Sequence, residues 1–250
     1  MNCRNHDQKG LSSQEAPYSG LLLINKPKNK TSFTLVATLR RLLKVKKIGH
    51  AGTLDPFATG VMVMLIGREY TKLSDRFLGA DKEYITTVRL GIETDSYDCD
   101  GKIMEENGII PSADSLQQAL ARFQGEIFQT PPMFSAKKKD GKKLYELARK
   151  GIVIEREPVL VKMTIHLISY DYPFVQLKVS CSKGTYIRSL AHDLGKMLGC
   201  GAHLTELQRT RSGDFHLESC IDGTLLDAPQ FDINTLALIP YQCPHPITHK

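Results

Sequence analysis

The distribution of apolar residues along the chain predicts several β-strands. The runs at 20–24 and 61–66 are apolar almost throughout, which is typical of buried strands. Between Lys82 and Leu90 alternate positions divide the residues between two faces, as in a half-buried strand. Two further stretches, at about 159–169 and 174–181, also have strand-like patterns.

Apolar residues at helical spacing predict four helices. The first begins at Thr31 or Ser32 and ends near Leu43, and two shorter ones cover 112–123 and 144–150. The most strongly amphipathic helix covers 185–198 and is followed by a glycine that can end it. Strands and helices do not alternate in regular βαβ units, so we expect an α+β fold built on a mixed sheet.

A glycine-rich segment, GHAGTLDPFATG at 49–60, separates the first helix from the second buried strand. Its Asp55 is the first carboxylate after Glu15, and eight Lys or Arg residues lie between Lys26 and Lys47. An aspartate before proline commonly closes a turn through its side chain. The local sequence therefore leaves two interpretations, a turn residue or a reactive carboxylate.

The charge and the cysteine content of the chain indicate which partners it binds and in which compartment it works. The 250 residues carry 33 Lys or Arg and 27 Asp or Glu, a net charge of +6, which favours polyanionic partners. A second basic block covers 137–143, although each block alone is also compatible with ordinary solvated surface. Six cysteines without a CxxC pair, and no signal-like or membrane-spanning segment, predict a cytoplasmic protein.

Other kinds of site have little support in the sequence. The glycine-rich segment matches neither nucleotide-binding pattern, GxxxxGK[ST] or GxGxxG. His50 and Asp55 have no nearby partners with metal-ligand spacing. The segment SYDCDG at 96–101 has only a faint likeness to a calcium loop, because Asn107 stands where the bidentate glutamate belongs.

Arg188 lies in the first turn of the last predicted helix, where the helix dipole disfavours a positive charge. A guanidinium there favours a nearby anion, either a phosphate or a carboxylate from elsewhere in the chain. Asp55 would suit, because the guanidinium fork can hold a carboxylate ionised and oriented. The alternative is that Arg188 simply points into solvent.

The segment GHAGTLDPFATGVMVMLIG resembles the catalytic motif of the TruB family of tRNA pseudouridine-55 synthases. Other segments are similar to further motifs of this family and follow in the same order: GLLLINKPKNKTS, KEYITTVRLGIETDSYDCDG, QTPPMFSAKKKDGKKLYELARKG and CSKGTYIRSLAHDLGKMLGCGAHLTELQRTRSGDF. The resemblance covers residues 20–215 and implies a mixed, largely antiparallel sheet flanked by helices. It also implies an enzyme that converts one T-loop uridine of tRNA to pseudouridine.

The resemblance assigns roles to individual residues. Asp55 matches the catalytic aspartate, Arg188 the arginine that pairs with it, and Tyr84 the tyrosine that stacks on the target base. Strand alternation alone would make Tyr84 a core aromatic. His50 matches the residue that packs into the stack vacated by the flipped uridine. Other substrate contacts are expected at Tyr186, Leu207, Lys26, Lys137, Lys142 and Lys143.

The implied organisation is a disordered leader at 1–17, a catalytic domain at 18–215 and a short C-terminal extension at 216–250. An RNA-binding insertion at about 125–155 would close over the T-loop, and a C-terminal PUA-type domain would be truncated or absent. The T-arm of tRNA is the expected partner, with no cofactor, metal, membrane or obligate protein partner. Asn29 and Ala51 depart from the family's usual glycine and threonine.

Three other functions remain to be weighed. One is a related enzyme guided by a small RNA within a larger particle. Another is an RNA-folding module without catalysis, which intact Asp55, Tyr84 and Arg188 argue against. The third is a glycoside hydrolase that uses Asp55 with a second carboxylate such as Asp95, although basic surroundings suit a nucleic-acid substrate better.

Overall fold

A computed structural model of the protein describes residues 18–135, 137–139 and 141–241, without the side chains of Lys138, Lys139 and Lys143. The leader predicted at 1–17 and the end of the C-terminal extension, from 242 onward, lie outside the described residues.

Among the described residues, six α-helices lie between the strands. They are α1 (Ser32–Leu43), α2 (Arg68–Thr71), α3 (Ser74–Leu78), α4 (Ala113–Ala121), α5 (Leu144–Ala148) and α6 (Ile187–Leu198).

The strands are β1 (Gly20–Lys26), β2 (Ile48–Ala51), β3 (Thr59–Ile66), β4 (Lys82–Leu90), β5 (Ile92–Thr94), β6 (Ile103–Glu106), β7 (Gly125–Gln129), β8 (Lys138–Lys139), β9 (Lys142–Lys143), β10 (Val159–Asp171), β11 (Phe174–Cys181), β12 (Ala202–Ser212), β13 (Phe215–His216) and β14 (Ile221–Asp222).

One large mixed sheet organises the fold. Its strand order is β14-β1-β3-β12-β4-β11-β10-β7, while β2 pairs with β3 and β13 with β12. The pairs β1–β14 and β3–β12 are parallel and the others in this sheet are antiparallel. The predicted α+β class, with a mixed and largely antiparallel sheet, is confirmed.

The predicted strands and helices are present, but five strands of the large sheet were missed. The first part of the glycine-rich segment pairs as β2, and β7 opens the predicted insertion. The most important omission is β12, which lies between β3 and β4 in the middle of the sheet. Its sequence carries polar residues on both faces, so alternation does not reveal it. The short β13 pairs with β12, and the short β14 pairs with β1 at the edge.

Two hydrophobic clusters explain the continuous apolar runs of β1 and β3. Leu22, Ile24 and Met64 face a large core that also contains residues of α1, α4 and α6. Leu21 and Val63, one position away, face a smaller cluster under Phe77 of α3. Because both faces of these strands are covered, every position can be apolar.

The chain after 215 packs against β1. Leu21 and Ile239 exchange two backbone hydrogen bonds, 2.9 and 2.8 Å long. The ring of Tyr241 meets Phe77 edge-on at a centroid distance of 5.0 Å. The side chain of Leu226 is buried in the main core. This segment therefore completes the sheet edge and does not form a separate core within the described residues.

Helix α6 lies close against β12, and Gly195 makes this possible. A Cβ atom at Gly195 would come within 2.2 Å of the backbone nitrogen of Ala202. The close contact sets the distance of α6 from the sheet, and the first turn of this helix carries Arg188.

Two lysines are buried at the ends of strands. The Lys26 amine donates to the carbonyls of Pro27, Lys30 and Pro56, and the Lys82 amine to those of Leu78 and Ala80. Burial lowers the pKa of each amine from 10.5 to about 8. Both side chains hold turns together from the inside.

We predict that Gly195→Ala destabilises the protein, although alanine normally favours a helix over glycine. The added methyl must push α6 away from β12, which should lower the free energy of unfolding by about 2 kcal/mol or more. Urea denaturation measures this difference. Gly108→Ala is the control, because no atom lies within 4 Å of a Cβ there; equal stability of the two variants would contradict the prediction.

We predict that the free energy of unfolding rises between pH 8 and 10.5 through Lys26. In that window the folded amine, with its pKa at about 8, has lost its proton, while the unfolded amine still holds one. Denaturant titrations at several pH values measure this rise. In Lys26→Met the free energy of unfolding should rise less steeply with pH, by up to the slope that corresponds to about one bound proton. The exposed Lys28→Met serves as the control. An unchanged slope in Lys26→Met would show that the buried amine is not the source.

Candidate active site

Asp55 lies in the loop between β2 and β3, and its neighbours hold that loop in place. Leu54 donates its N–H to the Ser32 hydroxyl over 3.1 Å, and Asn29 donates its N–H to the Pro56 carbonyl over 2.8 Å. The Asp55 backbone carbonyl closes a turn by accepting from Ala58. Asp55 does lie in a turn, but its backbone carbonyl closes that turn and its side chain does not, which leaves the carboxylate for another contact.

That contact is the predicted pair with Arg188. Nε of Arg188 lies 2.9 Å from Oδ2 of Asp55, and Nη2 lies 3.3 Å from Oδ1. Arg188 is only 4% exposed, so the solvent-pointing alternative is wrong. The bidentate geometry orients the carboxylate and places a positive charge directly against it.

Arg188 also binds two segments far from Asp55 in the chain. Its guanidinium donates to the carbonyl of Ser96 over 3.1 Å and to that of Phe134 over 2.7 Å. Nη1 lies 3.5 Å from Oδ2 of Asp98. The acidic turn after β5 and the start of the predicted insertion therefore meet at one arginine.

Asp98 is a site residue that the sequence analysis missed. It is buried, and burial raises the pKa of its carboxyl above 3.8. The Ser96 hydroxyl and the Asp100 N–H donate to its Oδ1 over 2.6 and 3.1 Å, and these bonds oppose that rise. The sequence indicated this acidic turn only through its faint likeness to a calcium loop. In the structure the turn places the Ser96 carbonyl and the Asp98 carboxylate against Arg188.

A cavity of about 290 Å³ lies beside the Asp55–Arg188 pair. Its walls include Lys82, Tyr84, Tyr186, Leu207 and Arg209. This space can hold one small planar group next to the carboxylate. A second cavity, of about 580 Å³, lies on the other side of the pair, between the acidic turn and helix α5 of the predicted insertion.

Tyr84 belongs both to the core and to the site. Its ring packs in the main hydrophobic cluster and also lines the smaller cavity. Burial raises the pKa of its phenol above 10, against the opposing effect of the nearby Arg209 guanidinium. The hydroxyl therefore keeps its proton at neutral pH.

Arg209 is a second residue that the sequence analysis missed. It is 1% exposed and projects from β12 toward Tyr84. Nε donates to the Val61 carbonyl over 2.7 Å, and Nη2 donates to the Gly52 carbonyl over 3.1 Å. It therefore joins β3 and the Asp55 loop to the tyrosine. The sequence contained one indication of this role. Arg209 lies two residues after Leu207, so on a strand the two side chains point to the same face.

The other predicted contacts fall in different places. Tyr186 and Leu207 line the smaller cavity, whereas His50 lies outside its walls on β2. Burial lowers the pKa of His50 below 6.5, helped by Arg209, and its buried Nδ1 has no hydrogen-bond partner among the described residues. Lys26 differs from its predicted role, because its amine is fully engaged with carbonyls of the chain.

Lys137 and Lys142 of the predicted insertion lie away from the walls of both cavities. Lys137 and Lys142 are exposed, and the side chain of Lys143 lies outside the described part of the chain. The described residues contain no group of three or more His, Cys, Asp or Glu side chains placed to hold a metal ion. They also contain no helix that is long and apolar enough to cross a membrane.

Curated relatives cover most of the chain. The tRNA pseudouridine synthase B of Protochlamydia amoebophila is 61% identical over 86% of this chain and 82% of its own length. Its counterpart in Chlamydia abortus is 60% identical over 86% of this chain and 92% of its own length. The tRNA pseudouridine synthase B of Aromatoleum aromaticum is 48% identical over 88% of this chain and 71% of its own length.

Solved structures share the fold as well. A protein chain in the crystal structure of a Cbf5-Nop10-Gar1 complex superimposes with a TM-score of 0.65 at 32% identity, over 83% of this chain and 54% of that one. A chain of an H/ACA RNP bound to a substrate RNA superimposes with a TM-score of 0.61 at 30% identity, over 83% of this chain and 52% of that one.

Two family models match consecutive parts of the sequence. The N-terminal domain of TruB family pseudouridylate synthase matches residues 40–187, and the C-terminal domain of tRNA pseudouridylate synthase B matches 188–231. The two matches meet at Arg188, whose pairing with Asp55 forms the centre of the site. By these matches and by the identity to its relatives, the chain belongs to the TruB family of pseudouridylate synthases.

Proposed function

We propose that this protein isomerises uridine to pseudouridine at position 55 in the T-loop of tRNA. The observation that carries the proposal is the bidentate Asp55–Arg188 pair beside a cavity lined by Tyr84. Relatives at 58–61% identity carry the name tRNA pseudouridine synthase B, whereas the chain in the Cbf5 complex is 32% identical. This difference favours a tRNA substrate over the RNA-guided alternative.

The reaction replaces one bond from the base to the ribose by another. The C1′–N1 bond breaks, the base turns, and C5 bonds to C1′, after which C5 loses a proton and N1 gains one. Nothing is oxidised or reduced, so the chemistry requires no redox cofactor. Asp55 acts either by attack on C1′ or by assisting elimination to a glycal, and both routes need an ionised, aligned carboxylate. Arg188 supplies the alignment through its two contacts with the carboxylate oxygens.

We place Tyr84 and Arg209 on the side of the uracil that faces away from Asp55, since both line the same cavity. We assign the Tyr84 ring to stacking on the uracil, and its protonated hydroxyl to a hydrogen bond or a proton transfer as the base turns. Arg209, the cross-strand neighbour of Tyr84 on β12, places a positive charge near that hydroxyl. Tyr186 and Leu207 complete the walls around the base.

A cavity of this size receives a single nucleotide, so the uridine must leave its stack. We assign His50 to the space that the uridine vacates. Its lowered pKa supports this role, because a neutral imidazole enters a base stack without the cost of desolvating a charge. The exposed Lys137 and Lys142, together with Lys143, are assigned to phosphate contacts that hold the T-arm. The protein acts on tRNA in the cytoplasm without an obligate partner.

Replacing Asp55 by asparagine should abolish turnover, because the amide keeps the shape of the side chain but not its charge. We expect pseudouridine formation at position 55 of an unmodified tRNA transcript to fall by roughly 10³-fold or more. Asp95→Asn is the control and tests the hydrolase alternative, since Asp95 caps the Lys102 N–H without touching Arg188. The proposal fails if wild type leaves position 55 unmodified, or if Asp55→Asn still modifies it.

Arg188→Lys should lower kcat by about 100-fold. A lysine keeps the charge, but a single ammonium cannot hold both Asp55 oxygens and the Ser96 and Phe134 carbonyls at once. Single-turnover assays on the same transcript measure the loss. Arg122→Lys, at the exposed end of α4, should retain wild-type activity. Turnover near the wild-type rate in Arg188→Lys would mean that the bidentate contact is not required.

A further inference from the structure

The start of α6 is held by a glutamine from another strand. Gln129, the last residue of β7, is 2% exposed. Its side-chain Nε2 donates to the Tyr186 carbonyl over 3.0 Å, and its Oε1 accepts the Tyr186 N–H over 2.8 Å. One amide thus binds both backbone polar groups of a single residue.

Tyr186 is the N-cap residue of α6, and its own side chain makes no capping hydrogen bond. Its carbonyl also accepts the first helical bond, from Leu190. The cap position normally sets where a helix begins and how its first turn is oriented. Here that task falls to Gln129, which lies 57 residues earlier in the chain.

The residues after Gln129 continue the contact along the same turn of α6. The Ser189 hydroxyl donates to the Thr130 carbonyl over 2.9 Å, and Arg188 Nη2 donates to the Phe134 carbonyl over 2.7 Å. The segment 129–134 therefore binds three of the four residues from Tyr186 to Ser189. Two of these three, Tyr186 and Arg188, line the cavity beside Asp55.

We propose that Gln129 is a positioning residue of the active site. By holding both backbone groups of Tyr186, it fixes the first turn of α6 and so places the Arg188 guanidinium against Asp55. It touches neither substrate nor the reacting atoms. The inference rests on the proposed function for its effect on turnover, whereas the contact itself does not depend on it. Because segment 129–134 belongs to the predicted RNA-binding insertion, it also ties that insertion to the catalytic arginine.

A matched control exists at the other end of β7. Gln124 binds the backbone of one residue in the same way: its Nε2 donates to the Ile165 carbonyl over 2.6 Å, and its Oε1 accepts the Ile165 N–H over 3.0 Å. Ile165 lies on β10 and does not line the cavity. Replacing either glutamine by methionine removes two hydrogen bonds and keeps similar bulk.

Steady-state kinetics on tRNA transcript should separate the two variants. In Gln129→Met we expect kcat to fall about tenfold or more with KM within about twofold of wild type, since small displacements of catalytic groups are costly. Gln124→Met should keep both parameters within about twofold. A purely structural role would lower the melting temperature of both variants and leave kcat of the folded protein alike. Wild-type kcat in Gln129→Met, an equal loss in Gln124→Met, or a change only in KM would overturn the proposal.

Amide hydrogen exchange gives a measurement that does not depend on turnover. The Tyr186 amide should exchange faster in Gln129→Met than in wild type, and the Ile165 amide faster in Gln124→Met. If wild type leaves tRNA unmodified, the proposed function fails, and exchange still decides whether Gln129 holds the start of α6. Unchanged exchange at Tyr186 in Gln129→Met would overturn the inference.

Discussion

The buried guanidinium of Arg188 is the constraint on which the site depends. A charge that is almost fully removed from water must find acceptors, and leaving one unpaired costs several kcal/mol. Asp55, Ser96, Asp98 and Phe134 supply them from three separate segments. The loop, the acidic turn and the start of the insertion are therefore held at one point. The same contacts that stabilise the arginine align the carboxylate for reaction.

Buried cations recur around this centre. Among the described residues, Lys26, Lys82 and Arg209 are also buried, and each donates to backbone carbonyls that shape the site. The basic character of the chain is thus divided between two tasks. Inward side chains hold loops that carry the reacting groups, while exposed ones such as Lys137 and Lys142 face solvent, where phosphates can be bound. A positive interior beside the cavity also suits a polyanionic substrate.

The predictable parts of the fold were those where side-chain pattern and packing agree. Helix α6 and strand β4 have clear periodicity because one face of each meets the core. Strand β12 has none, since its inward positions include Arg209, a residue that no hydrophobic pattern reveals. Missing β12 meant missing the neighbour that separates β3 from β4 and brings Arg209 to Tyr84. Lys26 was expected to contact the substrate for a related reason, because the sequence does not tell which lysines are buried.

The sequence by itself determined the class of fold, the position of one isolated carboxylate after a basic run, and an arginine in a helix turn that disfavours it. It also determined the family, through motifs spread over most of the chain. Only the tertiary structure decided which groups meet. Arg188 contacts residues 54 to 133 positions away, and Gln129 caps a helix 57 positions away. Such pairs follow from strand order and from the close approach of α6 to β12, which residue spacing along the chain does not encode.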